Sequence, residues 1–142
     1  MARPDPALLD PARYPFSNAV TTRFADLDPN GHINNVAMAA VFEDARLRFI
    51  TAVGFPRNTA AARFMVANVT IDYLAQAYYP QNLTCCVGAL PGGRSSWRLR
   101  QLLLQEGGPV ATAHVTIVFT DGERPRPIDP ALRERLEPWL IR

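Results

Sequence analysis

The sequence predicts an α+β fold in which a five-stranded antiparallel sheet is curled around one long buried helix, and three observations carry that prediction. The elements run in the order one strand, one helix, then four strands separated only by short turns, and short connections between consecutive strands require antiparallel pairing. Two of those strands alternate apolar and polar residues, which gives the sheet one core face. The helix is apolar around most of its circumference, so it needs cover on nearly every side.

Residues 1–16 hold four prolines (Pro4, Pro6, Pro11, Pro15) without a sustained period and read as an irregular N-terminal arm, with residues 17–142 as a single domain. Residues 17–24 are rich in β-branched side chains and place Val20, Thr22 and Phe24 on one side of a strand. The helix runs from about Asn34 to Val53, started by an Asn-Asn cap and stopped by Gly54 with Pro56 beyond it. One apolar stripe holds Val36, Ala40, Leu47 and Ile50, and another holds Met38, Val41, Ala45, Phe49 and Ala52; Asp44 and Arg48 pair at i,i+4 on the wet side. Strands follow at about 64–74, 82–90, 94–105 and 109–120. In the first of them Met65, Ala67, Val69, Ile71 and Tyr73 face one way, and Asn68, Thr70 and Asp72 the other. Residues 130–140 put Leu132, Leu136, Trp139 and Leu140 at helical spacing. Five strands do not cover a helix this apolar completely, which calls for a second copy of the chain.

Composition removes several functions. All fifteen basic residues are Arg, against thirteen acids, for a net charge of +2; scattered as they are, they do not form a nucleic-acid footprint. No window approaches the ~18 to 20 apolar residues of a membrane span, and the first residues lack the apolar run of a secretory signal, so a cytoplasmic protein is expected. Cys85 and Cys86 are adjacent and point to opposite faces of a strand, which disfavours a disulfide, and with no His nearby in sequence they make a poor metal site.

Chemistry is concentrated between the first strand and the helix, in Phe24-Ala-Asp26-Leu-Asp28-Pro-Asn30-Gly-His32-Ile-Asn34-Asn35. Two carboxylates, three carboxamides and one of the two histidines end at a helix N-terminus, where free N–H groups and the macrodipole favour negative charge. Such a site can stabilise an oxyanion.

This run, followed by Phe42-Glu-Asp-Ala-Arg46, resembles the signature of hotdog-fold acyl-CoA thioesterases of the 4-hydroxybenzoyl-CoA thioesterase type; plant acyl-carrier-protein thioesterases have a similar Asp-x-Asn-x-His-x-Asn-Asn run. The likeness extends over roughly residues 17–121, through Ile71-Asp72-Tyr73-Leu74, Gly93-Arg94-Ser95-Ser96 and Thr120-Asp121. It implies a hotdog domain that hydrolyses an acyl-CoA to free acid and coenzyme A, with no cofactor beyond the coenzyme A of the substrate and no metal. Asp28, not Asp26, matches the family's catalytic carboxylate, as nucleophile or as general base for water. The N–H of Asn35 falls where the family polarises the thioester carbonyl, and Asn34 beside it joins the substrate-binding residues. A homodimer or a tetramer of dimers, with the site between subunits, is also implied.

Other residues have two readings each. Asn30 and His32 either act beside Asp28, as in the acyl-carrier-protein branch, or hold the loop in shape. Glu43 interrupts an apolar helix stripe, and serves the site through an inward carboxylate or pairs with Arg46 or a neighbouring strand. Arg94, Ser95 and Ser96 either hold the phosphates of coenzyme A or form a turn. Asn68 and Thr70 line a partner's acyl site or belong to a wet face, and His114 faces solvent or an interface. Met38 stands where the family often has an aromatic, which bears on the acyl pocket. Two other functions fit less well: a non-catalytic module binding acyl-CoA or an acyl carrier protein, and a hydratase or dehydratase of acyl-thioesters, which needs a catalytic His and acid pair, with His32 as one candidate.

Overall fold

A computed structural model describes residues 3–60 and 62–142; Met1 and Ala2, which open the expected arm, and Ala61 lie outside the described residues. The elements are β1 (Phe16–Val20), α1 (Asn35–Val53), β2 (Arg63–Tyr73), β3 (Leu83–Leu90), β4 (Ser96–Gln105), β5 (Gly108–Thr120) and α2 (Pro130–Leu136). The strands form one antiparallel sheet in the order β1-β3-β4-β5-β2. In the arm, Pro6–Leu9 and Pro11–Arg13 are 3-10 turns opened by Asp5 and Asp10, whose carboxylates accept from the N–H two residues on. No helix among the described residues is long and apolar enough to cross a membrane.

The α1 boundaries follow from its caps. Asn34 Oδ1 accepts from the Ala37 N–H, and Gly54 ends the helix at φ 84°, a left-handed conformation that glycine adopts without strain. The buried residues of α1 are Met38, Phe42, Ala45, Arg46, Phe49 and Val53. Spaced three and four apart, they make one stripe, and it packs on the sheet face built by Leu83, Val87, Trp97, Leu99, Leu103 and Val115.

The expected sheet curled around a buried helix is therefore corrected. β1 and β2 are two separate edges, so the sheet is open, and α1 lies against one face of it. Val36 and Leu47 of the other predicted stripe are 73% and 59% exposed. The reason is physical: β1 spans only five residues and pairs only with β3, leaving nothing to carry the sheet around the helix. The predicted first strand also ends early, since Phe24 stands in a 3-10 turn and is 75% exposed.

The β2 alternation is corrected as well. Val66 pairs with Ile117 while Asn68 pairs with Thr116, so Ala67 is the extra residue of a bulge that shifts the phase. Phe64 and Val66 share the helix-side face with Val69, Ile71 and Tyr73, opposite Phe119, Ile117, Val115, Ala113 and Ala111; Met65 falls on the far face opposite Val118.

Two polar side chains sit in the core and satisfy each other. Arg46 Nη1 donates to Gln101 Oε1 at 3.2 Å, and Gln101 Nε2 donates to the Phe42 carbonyl at 2.8 Å, tying α1 to β4. Burial pulls the Arg46 guanidinium below its ordinary range, opposed by the charge of Glu43. On the far face a smaller cluster of Tyr14, Cys86, Leu102 and Leu104 is covered by Leu9 and Ile141. Cys85 lies in the main core and Cys86 in this one, and both are free thiols.

Phe49, fully buried, meets Phe16 and Trp139 edge to face at 5.7 Å each. Phe49→Ala is expected to lower the unfolding free energy in urea by about 3–5 kcal/mol, whereas Phe24→Ala, at an exposed position, changes it by no more than about 0.5 kcal/mol.

Candidate active site

The segment from Phe24 to Asn35 folds as a 3-10 turn followed by a tight reversal. The N–H of Asp28 donates to the His32 carbonyl at 2.8 Å and the N–H of Gly31 to the Asp28 carbonyl at 3.0 Å, with Gly31 at φ 80°. One carboxylate oxygen of Asp28, Oδ1, accepts from the N–H groups of Asn30 (2.9 Å) and His32 (3.0 Å), as Asp does in loops of this kind. The side chain is thereby held in one orientation, with Oδ2 outside these bonds.

Asn34 joins this loop to the helix. Its Oδ1 caps α1, while its backbone N–H and its Nδ2 both donate to the Asp26 carbonyl at 2.8 Å. The Ile33 N–H donates to the Ala77 carbonyl at 2.8 Å, which anchors the same stretch to the chain after β2. Asp26 points elsewhere: its carboxylate is in a two-pronged pair with Arg23 (2.7 and 3.2 Å), and hydrogen bonding to Arg23 holds its carboxyl below the usual 3.8.

Asp28 and Asn35 open onto one cleft of about 380 Å³, with Ile33, Met38, Tyr73, Leu74, Ala75 and Gln76 as the rest of its wall. The N–H groups of Asn35 and Val36 have no partner inside the helix and none elsewhere among the described residues. The Tyr73 hydroxyl donates to the Asn35 carbonyl at 3.2 Å, closing the cleft on the β2 side.

The other predicted residues divide. Asn30 is exposed and touches Asp28 through its backbone. His32 is half-buried, and its ring meets Tyr78 edge to face at 5.4 Å; no hydrogen bond joins that ring to Asp28. Glu43 is exposed, eight residues further along α1, or roughly 12 Å at the helical rise. It does not turn inward, and no carboxylate–guanidinium contact within 4 Å joins it to Arg46 among the described residues. It lines a separate trench of about 290 Å³ with Arg46, Leu47, Phe55, Phe64 and Val66.

Arg94, Ser95 and Ser96 stand at the other end of the sheet. From Gln105, whose side chain hydrogen-bonds Tyr78 near the cleft, to Ser96 is nine strand steps, roughly 30 Å. The carbonyl of Arg94 accepts from Ile128 and Arg133, and that of Ser95 from Phe119. Asn68 is exposed on the sheet face away from α1 and accepts from the Thr70 hydroxyl at 3.4 Å. A single chain thus brings Asp28, Asn30, His32, Asn34 and Asn35 together, and leaves Glu43, Asn68, Arg94, Ser95 and Ser96 apart. The cleft residues that sequence reasoning missed are Ala75 and Gln76, which carry no motif, and Leu74, which entered only as the end of the Ile71-Asp72-Tyr73-Leu74 run and with no role at the site. Among the described residues no group of three or more His, Cys, Asp and Glu side chains is placed to hold a metal ion.

One long helix laid on an open five-stranded antiparallel sheet, with a polar loop at the helix N-terminus, is the hotdog-fold arrangement. A family model described as "Thioesterase-like superfamily" matches residues 22–136, and the chain belongs to that superfamily. Thioesterase-type hydrolysis is the class of activity that this membership carries. The uncharacterized protein YsmA of Bacillus subtilis (strain 168) is 31% identical over 111 residues, covering 78% of this chain and 76% of its own. A thioesterase of Thermus thermophilus, whose crystal structure is a complex with coenzyme A and Zn, is 32% identical with a TM-score of 0.79, covering 87% of this chain and 92% of that one. The PA5185 protein of Pseudomonas aeruginosa PAO1 superposes with a TM-score of 0.80 at 26% identity, covering 92% and 94%.

Asn34→Ala removes the cap and one of the two bonds to Asp26, and is expected to lower stability by about 1 kcal/mol in denaturant unfolding. The Asp26–Arg23 pair has a signed pH dependence. Since the folded carboxyl lies below 3.8, its contribution is complete above that value and is lost as pH falls through the folded one. Asp26→Asn should therefore show a smaller drop in stability than the wild type between about pH 5 and about pH 2.5.

Proposed function

We propose that this chain hydrolyses an acyl-CoA thioester, or the same acyl group on a carrier protein, at the Asp28–Asn35 cleft. The observation that carries the reading is the meeting of one oriented carboxylate, that of Asp28, and the unpartnered helix N-terminal N–H of Asn35 on the same cleft. Thioester hydrolysis needs a base or nucleophile and a donor for the carbonyl oxygen as it becomes an oxyanion, and little else. In this reading Asp28 Oδ2 attacks the carbonyl carbon or takes a proton from the attacking water, and the Asn35 N–H polarises the carbonyl oxygen. Asn30 and His32 act by fixing Oδ1 of Asp28, and Asn34 by aiming the helix end. The thiolate of coenzyme A leaves as the carbon–sulfur bond breaks, and water supplies the hydroxyl of the free acid. The T. thermophilus relative bound to coenzyme A supports the carrier.

A second copy completes the site. β2 is an eleven-residue edge strand, and Met65, Val66, Val69 and Tyr73 on it, with Val36 and Leu47 beside it on α1, are between 40% and 73% exposed. An apolar edge of that length invites strand pairing. Two-fold antiparallel pairing of β2 with its copy sets the Arg63 end of one strand against the Tyr73 end of the other. That arrangement would carry the partner's Arg94–Ser96 end and its Glu43 trench toward the Asp28 cleft, which a single chain does not do, while Asn68 stays on the outer face of the sheet. The assembly is then a homodimer, or a tetramer built from it, with the site between subunits.

Free-thiol release from short, long and aromatic acyl-CoAs tests the reading. Wild type should turn over at least one of them, and Asp28→Asn, which keeps the shape and the Asn30 and His32 contacts to Oδ1, should lose about 100-fold or more in kcat/KM. Undiminished turnover in Asp28→Asn overturns the assignment. Binding of an acyl-CoA with no thiol released by the wild type would instead mark a ligand-binding module.

A further inference from the structure

The sheet face away from α1 holds a cluster that the cleft does not use. Across the strands, Gly88 pairs with Arg100, Arg100 with His114, and His114 with Thr70; in the adjoining row Arg98 pairs with Thr116, and Thr116 with Asn68. Directly paired residues project from the same face, so Arg98, Arg100, His114, Thr116, Thr70 and Asn68 form a two-by-three platform of neighbouring polar side chains. Toward the Gln105 end of this face the arm lies over Leu102 and Leu104 and reaches Leu74 and Pro109; in the Arg100 row, Pro15 and Ile141 fill the space a side chain at Gly88 would take. From there to the β2 edge the platform is open.

Three properties make this more than a wet strand face. Among the described residues neither Arg98 nor Arg100 has a carboxylate within 4 Å, although every ion pair that does form in those residues involves Arg. The Arg100 Nε is buried with no hydrogen-bond partner, a donor withheld from water and left unsatisfied. His114 is half-buried beside both arginines, and burial first, then their charge, lowers its proton affinity, as expected where positive potential is not neutralised. Arg98 and Arg100 stand two residues apart on the same face of β4, and like charges held side by side repel unless something of opposite sign answers them.

We infer that Arg98, Arg100 and His114 form an anion site on the outer sheet face that takes a phosphate or pyrophosphate group, with the Thr116 and Thr70 hydroxyls as additional donors. Guanidinium groups match phosphate oxygens in pairs, and the imidazole donates from both nitrogens once protonated. Arg98 is already turned by Nε and Nη2 donation to the Pro91 carbonyl, at 3.3 and 2.8 Å, which holds its charge at the strand end beside Ser96. The phosphate comes from one of two sources: the nucleotide end of a coenzyme A thioester bound between two copies, or a free phosphorylated metabolite. The site stands without the hydrolase reading; only its assignment to coenzyme A rests on it.

Titration of the two histidines by NMR with inorganic pyrophosphate tests it on the intact chain. Pyrophosphate should raise the His114 midpoint and leave that of His32 unchanged. The groups that face His114 are Arg98 and Arg100 from β4 and Asp72 from β2, with Tyr14 and Cys86 beside Arg100. Arg100→Gln and the exposed Arg98→Gln should each weaken pyrophosphate binding by about tenfold. No response at His114, or pyrophosphate binding by both variants as tight as by the wild type, overturns the site. The source is read from kcat/KM for an acyl-CoA against the matching acyl-pantetheine. A ratio that falls about tenfold in both variants assigns the phosphate to coenzyme A, and an unchanged ratio with pyrophosphate still bound assigns it to a free metabolite. If neither thioester is cleaved the hydrolase reading fails, while the pyrophosphate titration still decides this one.

Discussion

Everything at the cleft depends on how one carboxamide is spent. Asn34 accepts from Ala37 on one side and, through its two N–H donors, grips the Asp26 carbonyl on the other. The helix axis and the loop that precedes it are thereby one rigid piece. Because Asn34 serves the third N–H of the turn, those of Asn35 and Val36 remain available at the end of a nineteen-residue helix, where the backbone dipoles already favour negative charge.

The helix itself is held by an unusual mixture of contacts. Phe42, Ala45 and Phe49 are fully buried against the sheet, yet Arg46 lies in the same stripe and is 7% exposed. Its burial is tolerable because Gln101, itself fully buried, accepts from it and donates in turn to the Phe42 carbonyl. This polar strut fixes α1 against β4 in one register along its axis. Position along that axis decides where the helix N-terminus meets Tyr73 and Leu74, and so the shape of the cleft.

Much of this was legible in residues. Asn34 and Gly54 marked the ends of α1, the turns at Pro91-Gly-Gly and Glu106-Gly-Gly marked the hairpins, and the crowding of polar groups from Asp26 to Asn35 marked the loop. What was not legible came from effects that one-dimensional periodicity does not carry. The bulge at Ala67 costs one residue of phase, and an alternating pattern read through it assigns Met65 to the wrong face. The α1 stripe of Val36 and Leu47 read as buried because both are apolar, although they lie on the side of the helix that the open sheet leaves uncovered. Glu43, read either as inward or as paired with Arg46 or a neighbouring strand, is exposed on α1. Arg94 and Asp28 belong to opposite ends of one sheet, a separation of strand lengths that no motif records.

The central claim is that a thioester carbonyl sits between Asp28 and the Asn35 N–H. A crystal structure of Asp28→Asn with an acyl-CoA analogue in which a methylene replaces the thioester sulfur tests it directly. The account predicts the carbonyl oxygen within hydrogen-bonding distance of the Asn35 N–H and the carbonyl carbon facing residue 28. A carbonyl bound in the Glu43 trench, or anywhere else away from the α1 N-terminus, would contradict it.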